Sequence, residues 1–336
     1  MGVFTLRVLL VGLGSIGKRH LSNIKTIDPT AEITVWHLHS KKDGSDVKID
    51  GVNEVVYSFE ESIHPKPQVA FITCPSIFHI PIATMLAREG IDLFIEKPIS
   101  SNLSDVETFL NIGKTQKILI MVGYNLRFHR PIQLLKQKIG EGSIGNLIGI
   151  HAEVGQYLPD WRPGMDYRQS VSARKDLGGG AVLELSHELD YARWLFGEVK
   201  SVSAQVDQLS DLEINVEDTA EIILKFSNNA IGSIHLDMIQ RSPIRGCQII
   251  GSKGTLKWDG MTDLVTQFSV KNNTWSVLHP AEKINRNEMY VTEIQHFFEC
   301  VKNRKEPLIN GYEGKRVLEI ALAALESSKV QRTVIL

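Results

Sequence analysis

The strongest constraint on this chain lies near its start, in Val8-Leu9-Leu10-Val11-Gly12-Leu13-Gly14-Ser15-Ile16-Gly17. An unbroken apolar strand ends in glycine, and an amphipathic helical pattern opens at once. In a G-x-G-x-x-G of this kind, Gly12 permits the tight turn and Gly14 lets a pyrophosphate approach the backbone. Gly17 then lets the helix pack close to the strand. The N–H groups of Ser15 and Ile16 open the helix, and with its dipole they favour a phosphate. With a strand before it and a helix after it, the motif predicts a dinucleotide site; a bare βα turn is the alternative.

The rest of the first third keeps this rhythm. Residues 6–11, 32–36, 68–73, 92–95 and 118–122 are short apolar runs, separated by helical patterns at 16–27, 77–88 and 103–117. Strands alternating with helices of that length form βαβ units and a parallel sheet. After Tyr124 the pattern changes. Strand-like runs with period-two alternation follow at 148–154, 199–206, 219–226, 232–238, 248–250 and 265–270. Turns such as Ser227-Asn228-Asn229 and Ser252-Lys253-Gly254 join some of them, which predicts an antiparallel meander. Helical patterns at 131–139 and 181–195 interrupt it, and 288–301 and 312–328 close the chain. The expected fold class is α/β. A doubly wound (Rossmann) parallel sheet occupies 1–123, and an α+β domain with a large, mostly antiparallel open sheet occupies 124–336. Helix 312–328 is a candidate to pack back on the first domain.

Charge and cysteine content exclude several classes. Lys plus Arg total 37 against 39 Asp plus Glu, a net charge of −2. A balanced chain has no basic footprint for nucleic acid or an anionic membrane, and no apolar run is long enough to span one. Cys74, Cys247 and Cys300 show no paired spacing. Neither a disulfide framework nor a cysteine zinc site is expected, and a reducing cytoplasm fits. The histidines lack ligand spacing, so no metal is expected either.

The residue that selects between nicotinamide cofactors stands at the end of the second strand, where an acid would bond the ribose 2′-hydroxyl. Here the chain reads His37-Leu38-His39-Ser40-Lys41-Lys42, with no acid until Asp43. Two lysines, a hydroxyl and two imidazoles suit a 2′-phosphate, so NADP is expected ahead of NAD. The alternative is a basic surface loop.

Further motifs follow in order: Thr73-Cys74-Pro75 with His79, Glu96-Lys97-Pro98, Tyr124-Asn125-Leu126-Arg127-Phe128, and Gly178-Gly179-Gly180 with His187. Together they resemble the Gfo/Idh/MocA family over nearly the whole chain. The resemblance implies a Rossmann domain, a C-terminal domain whose open sheet builds homodimers or homotetramers, and hydride transfer between a nicotinamide and a sugar-like hydroxyl or carbonyl. Lys97 matches the lysine of the family's E-K-P motif, beside the nicotinamide and the reacting oxygen, with a cis bond to Pro98. Glu96 reads as its orienting partner. Thr73, Cys74 and Pro75 resemble a T-P-N turn that touches the cofactor, with Cys74 departing from it, and His79 heads the next helix as in the family. Asn125 is assigned to the cofactor and Arg127 to the substrate. The family's catalytic histidine follows a glycine run and an Asp; here Glu184 replaces Asp and His187 falls one residue early. A helix still places Glu184 and His187 on one face, where the carboxylate orients the imidazole as acid/base.

The stretch from Tyr157 to Arg168 is a long loop rich in aromatic and Arg residues. Aromatic rings stack on sugars and Arg forks grip anions, so Tyr157, Trp161, Arg162 and Arg168 are candidate substrate residues. An ordered lid or a subunit contact is the alternative. The leading function is an NAD(P)-dependent sugar or sugar-nucleotide oxidoreductase. A cyclitol (inositol-like) dehydrogenase is the runner-up, and a non-catalytic NADP-binding sensor is the rival from another class.

Overall fold

The computed structural model describes residues 5–38, 48–283 and 285–336. Its contacts divide the chain into two compact units, Met1–Tyr124 with Asn287–Lys315, and Asn125–Arg286 with Arg316–Leu336.

The first unit is built on β1 (Arg7–Val11), β2 (Glu32–Trp36), β3 (Glu54–Val56), β4 (Val69–Ile72), β5 (Asp92–Ile95) and β6 (Ile120–Val122). They form one parallel sheet in the order β3-β2-β1-β4-β5-β6. Helices α1 (Ser15–Ile27), α2 (Phe59–Ser62), α3 (His79–Arg88) and α4 (Val106–Gln116) lie between the strands in sequence. Leu9, Leu10, Phe71, Ile72, Phe94 and Ile95 are wholly buried. Helices covering both faces of a parallel sheet require strands that are apolar throughout, which is how these segments read. The strand order reverses between β1 and β4, the position at which open α/β sheets bind ligands.

The second unit contains α5 (Arg130–Gly140), β7 (Leu147–Gly155), α6 (Ala181–Glu184) and α7 (His187–Phe196). Strands β8 (Val199–Asp207), β9 (Thr219–Phe226), β10 (Ile231–Asp237), β11 (Ile244–Gly251), β12 (Gly254–Asp259), β13 (Leu264–Ser269) and β14 (Thr274–His279) follow. The chain closes with α8 (Arg286–Asn303), α9 (Gly311–Val330) and β15 (Val334–Ile335). The nine strands run β14-β13-β12-β11-β7-β10-β9-β8-β15, antiparallel except for the parallel pair β7–β10. The expected meander is thus two meanders, with β7 set between them. The inner face buries Ile150, Ile222, Leu224, Ile234, Leu236 and Ile249.

Two segments differ from the sequence reading. The part of the chain that returns to the first unit is Asn287–Lys315 rather than 312–328. The reason is aromatic packing: Phe297 of α8 sits edge-on, 5.7 Å from both Phe71 and Phe94, which stack on each other at 4.8 Å. The helix expected over 181–195 is broken into α6 and α7. There the Ser186 hydroxyl donates back to the Leu183 carbonyl at 2.9 Å, a local bond that competes with helix propagation.

Candidate active site

In the first unit, the three glycines serve three separate needs. Gly12, directly after β1, has φ +85°, which a side chain rarely adopts. Gly14 caps α1, and a Cβ there would meet no atom within 4 Å among the described residues. A Cβ on Gly17 would lie 2.5 Å from the Gly12 carbonyl oxygen and 2.8 Å from Thr73 Oγ1, so Gly17 is needed for close packing. The first bond within α1 runs from Lys18 N–H to the Gly14 carbonyl at 3.0 Å. The N–H groups of Ser15, Ile16 and Gly17 therefore precede the intrahelical ladder, at the positive end of the dipole. This is a cradle for a pyrophosphate: closed beneath Gly17 and open above Gly14.

The cofactor-selecting stretch is described only at its start. His37 is half-buried, donates its N–H to Val56 at 2.9 Å, and lies 5.9 Å from the Tyr57 ring. His39, Ser40, Lys41 and Lys42 lie outside the described residues.

The turns after β4 and β5 line the same carboxyl edge of the sheet as the glycine turn. Several side chains expected to meet the cofactor are spent holding these turns together. The Thr73 hydroxyl donates to the carbonyls of Val11 at 3.0 Å and Gly12 at 2.7 Å. Cys74 packs beneath Gly12, and burial pushes its thiol up to about 12, far from a reactive thiolate. Pro75 leads into the short turn before α3. His79 is 1% exposed, with Nδ1 2.9 Å from the Pro98 carbonyl and Nε2 2.8 Å from the Cys74 carbonyl. Burial lowers its pKa, opposed by those carbonyls and by Glu96. His79 therefore ties the two turns together through both ring nitrogens.

Glu96 directly follows β5 and is buried. Its Oε2 accepts the Lys97 N–H at 3.2 Å, and its Oε1 lies 2.6 Å from His20 Nε2. Lys97 is half-buried at the carboxyl edge, and its bond to Pro98 is cis, as the resemblance implies. Sequence reasoning missed His20. It occupies the buried stripe of α1 with Gly17, Leu21 and Ile24, and a polar residue on an apolar stripe was the available signal.

In the second unit, the glycine run ends at Gly180, φ +112°, where a Cβ would collide with the Glu217 carboxylate. Glu217 accepts the Ala181 N–H on its backbone at 3.0 Å and the Val182 N–H on its side chain at 3.2 Å, so it anchors the start of α6. Burial raises its pKa, and no local sequence signal marked it. Glu184 ends α6 and His187 opens α7, so the two do not share a face of one helix as the spacing predicts. Glu184 instead accepts from the Ser172 hydroxyl at 2.8 Å, and His187 is half-buried.

Two arginines differ from expectation. Arg127 is 1% exposed and forks onto Asp190, with Nε 3.0 Å from Oδ2 and Nη2 2.7 Å from Oδ1. Its guanidinium also lies 5.6 Å from the Trp194 ring. A guanidinium so paired and buried holds the short turn Asn125–Phe128 to α7. Asn125, at the head of that turn, is likewise buried. Arg168 is exposed but bonds Asp166 and Glu213, each at 2.8 Å, and these carboxylates raise its pKa. Its charge is already met. The rest of the loop keeps its surface character. The Arg241 guanidinium stacks 3.5 Å over the Tyr157 ring. Trp161 donates its indole N–H to Gln156 at 2.9 Å. A small pocket is lined by Leu158, Trp161, Arg162, Tyr167 and Ser172, which places the loop beside the Ser172–Glu184 pair. Arg162 is exposed and makes no ion pair among the described residues.

A six-stranded sheet reversing at β1/β4, with a glycine cradle at that point, defines a dinucleotide-binding protein of the Rossmann class. Comparison with known families agrees. Residues 6–124 match the oxidoreductase family model for an NAD-binding Rossmann fold, and residues 136–336 match its C-terminal alpha/beta domain. The chain belongs to the Gfo/Idh/MocA oxidoreductase family. It is 27% identical to a myo-inositol 2-dehydrogenase of Thermotoga maritima, over 98% of each chain. It is 25% identical to an NAD(+) scyllo-inositol 2-dehydrogenase of Bacillus subtilis, covering 96% of this chain and 93% of that one. A levoglucosan dehydrogenase solved with NADH shares the fold, with TM-score 0.86 and 21% identity over 98% of this chain and 99% of that one.

Proposed function

We propose that the protein is a cytoplasmic dehydrogenase or reductase that interconverts a hydroxyl and a carbonyl on a sugar or sugar nucleotide, with NADP(H) preferred over NAD(H). The observation that carries the reading is Lys97 at the carboxyl edge of β5, its backbone held by Glu96, in the sheet that carries the glycine cradle. The nicotinamide, when bound, supplies the hydride donor or acceptor. Lys97 holds the reacting oxygen and stabilises the negative charge it develops. His187 takes the hydroxyl proton in the oxidative direction, with Glu184 supporting it. Trp161 and Arg162 supply the stacking surface and the cation for substrate, which favours an anionic group. NADP preference rests on His39, Ser40, Lys41 and Lys42, and the cytoplasm on three unpaired cysteines. The outward face of the second sheet carries Ile223 and Ile231, both exposed, and is the surface for a homodimer or homotetramer.

A neutral cyclitol is the second reading, favoured by the two inositol dehydrogenases among the relatives. Incubation with NAD⁺ and with NADP⁺ against a panel of inositols, sugars and nucleotide sugars decides between them, read at the reduced-nicotinamide absorbance. With the substrate found, Lys97→Ala and His187→Ala should each lower kcat by at least ~10²-fold with little change in cofactor affinity. Cofactor binding without turnover on any substrate would instead point to a sensor.

A further inference from the structure

His20 sits beneath the Glu96-Lys97-Pro98 turn in a setting that a purely structural residue does not need. Its side chain is 0% exposed and lies on α1 among apolar neighbours. Three rings surround it, with centroids 5.1 Å away for Phe94, 5.5 Å for Phe71 and 6.3 Å for Tyr290. Nδ1 is buried there without a hydrogen-bond partner among the described residues, while Nε2 lies 2.6 Å from Glu96 Oε1. The other oxygen of the same carboxylate accepts the Lys97 N–H at 3.2 Å. An apolar side chain would fill this aromatic box without leaving an unsatisfied nitrogen. The histidine's one polar use is therefore its Nε2–H, donated to Glu96. That bond fixes the tautomer and, through it, the rotamer of the carboxylate.

We propose that His20 is a positioning residue for Lys97. It clamps Glu96, and Glu96 sets the backbone direction from which the Lys97 side chain leaves the sheet. Helix α1 then has two duties: its N-terminus faces the pyrophosphate, and its second turn aims the lysine. From the other side His79 grips the Pro98 carbonyl, so the turn is held on both flanks. The inference rests on the reading of Lys97 as the group that holds the reacting oxygen. Nothing in the sequence near Lys97 points to His20, because the contact spans 76 residues.

The test compares His20→Leu, His20→Asn and His20→Gln in the full-length protein. A glutamine amide reaches about as far as Nε2 and restores the donor; asparagine falls short, and leucine removes it. In His20→Leu and His20→Asn, kcat should fall by at least ~10-fold, since misplacing a reacting group by about 1 Å costs up to ~10². The Kd for NADH should stay within about twofold of wild type. The isotope effect with substrate deuterated at the reacting carbon should rise. His20→Gln should recover most of kcat. A second readout needs no turnover: the NMR signal of isotopically dimethylated Lys97 should shift in the Asn variant and return in the Gln variant. Should wild type turn over nothing, the functional reading falls while the Lys97 signal still decides the clamp. Wild-type kcat with only a lowered Tm in His20→Leu would overturn the proposal. So would a Gln variant as impaired as Asn, or an unmoved Lys97 signal; if Leu fails to fold, the Asn and Gln pair decides alone.

Discussion

Replacing Gly14 and Gly17 by alanine in turn should separate a glycine kept for the ligand from one kept for the fold. Gly14 has φ −70°, and a methyl placed on it would find no atom within 4 Å among the described residues, so its alanine variant needs no rearrangement of them. Exchanging glycine for alanine at a helix N-cap changes stability by less than ~1 kcal/mol. The Gly17 methyl, in contrast, would lie 2.5 Å from the Gly12 carbonyl oxygen and 2.8 Å from Thr73 Oγ1. One of these contacts is backbone, so the strand and helix must part. Overpacking of that kind costs about 1–3 kcal/mol, or roughly 2–12 °C in Tm at ~2–4 °C per kcal/mol. Affinity should run the other way. If the pyrophosphate rests over Gly14, a methyl there meets it directly, and about 1–3 kcal/mol of lost binding is roughly a 5- to 150-fold rise in Kd. Thermal unfolding and titration of NADH fluorescence measure the two effects on the same samples. Gly14→Ala should lose NADH and no more than about 4 °C of Tm; Gly17→Ala should lose Tm first. Wild-type NADH affinity in Gly14→Ala would refute the cradle, and a Tm drop matching that of Gly17→Ala would refute the open space above it.

Arg127→Met should cost ~3–5 kcal/mol in urea unfolding, because it strands the Asp190 carboxylate in the core, while the double variant with Asp190→Leu recovers much of it. Equal losses for the single and double variants would show that the pair is not coupled. Arg162→Ala should raise KM for an anionic substrate more than Arg168→Ala does, since Asp166 and Glu213 already neutralise Arg168; the reverse order would overturn that assignment. Hydrogen bonding to Asp237, then to Glu221, raises the His235 pKa from 6.5 to about 9. The raised value means that its stabilisation is full below pH 6.5 and is lost as pH rises through about 9. The side chain is partly exposed, so about 1 kcal/mol is the scale, and His235→Gln should flatten the alkaline limb of Tm against pH.

What could be read in the sequence was local. The glycine turn, the apolar runs of β1, β4 and β5, and the E-K-P turn each declare themselves within a few residues. The features that were hidden depend on partners far along the chain. Arg127 looks like a surface arginine until Asp190, 63 residues later, is folded against it. Arg168 looks free until Glu213 arrives. The alternation that marks β7 says which face is buried, but not that β7 enters between β10 and β11. The break between α6 and α7 was a local event, yet no helix breaker marks it. A serine inside an apolar helical pattern is compatible with both outcomes, and the Leu183 carbonyl decided it. Strand β12 was not read from the sequence although it carried a signal: Leu256 and Trp258 are buried with Lys257 exposed between them. Strand β14 did not, since Thr274 to Val277 are exposed on both faces.

The ties across the first unit also change what its motif residues mean. Three neighbouring strands each deliver one turn to the carboxyl edge of the sheet: Gly12 after β1, Thr73-Cys74 after β4 and Glu96-Lys97 after β5. Each turn is bonded to another through a buried side chain: Thr73 to Gly12, His79 to Cys74 and Pro98, and His20 to Glu96. Side chains that a motif comparison would assign to the cofactor are thus turned inward. The N–H groups at the start of α1 precede the intrahelical ladder, and Lys97 is half-buried at the same edge of the sheet. That arrangement suits a site whose ligand is a pyrophosphate and a growing negative charge, because N–H groups held at a helix start and one aimed cation need no reorganisation when the charge develops. It also explains why the cysteine in place of the family's usual residue is tolerated at position 74. Its backbone carbonyl serves His79 whatever the side chain, and a half-buried, protonated thiol packs as a small apolar group beneath Gly12.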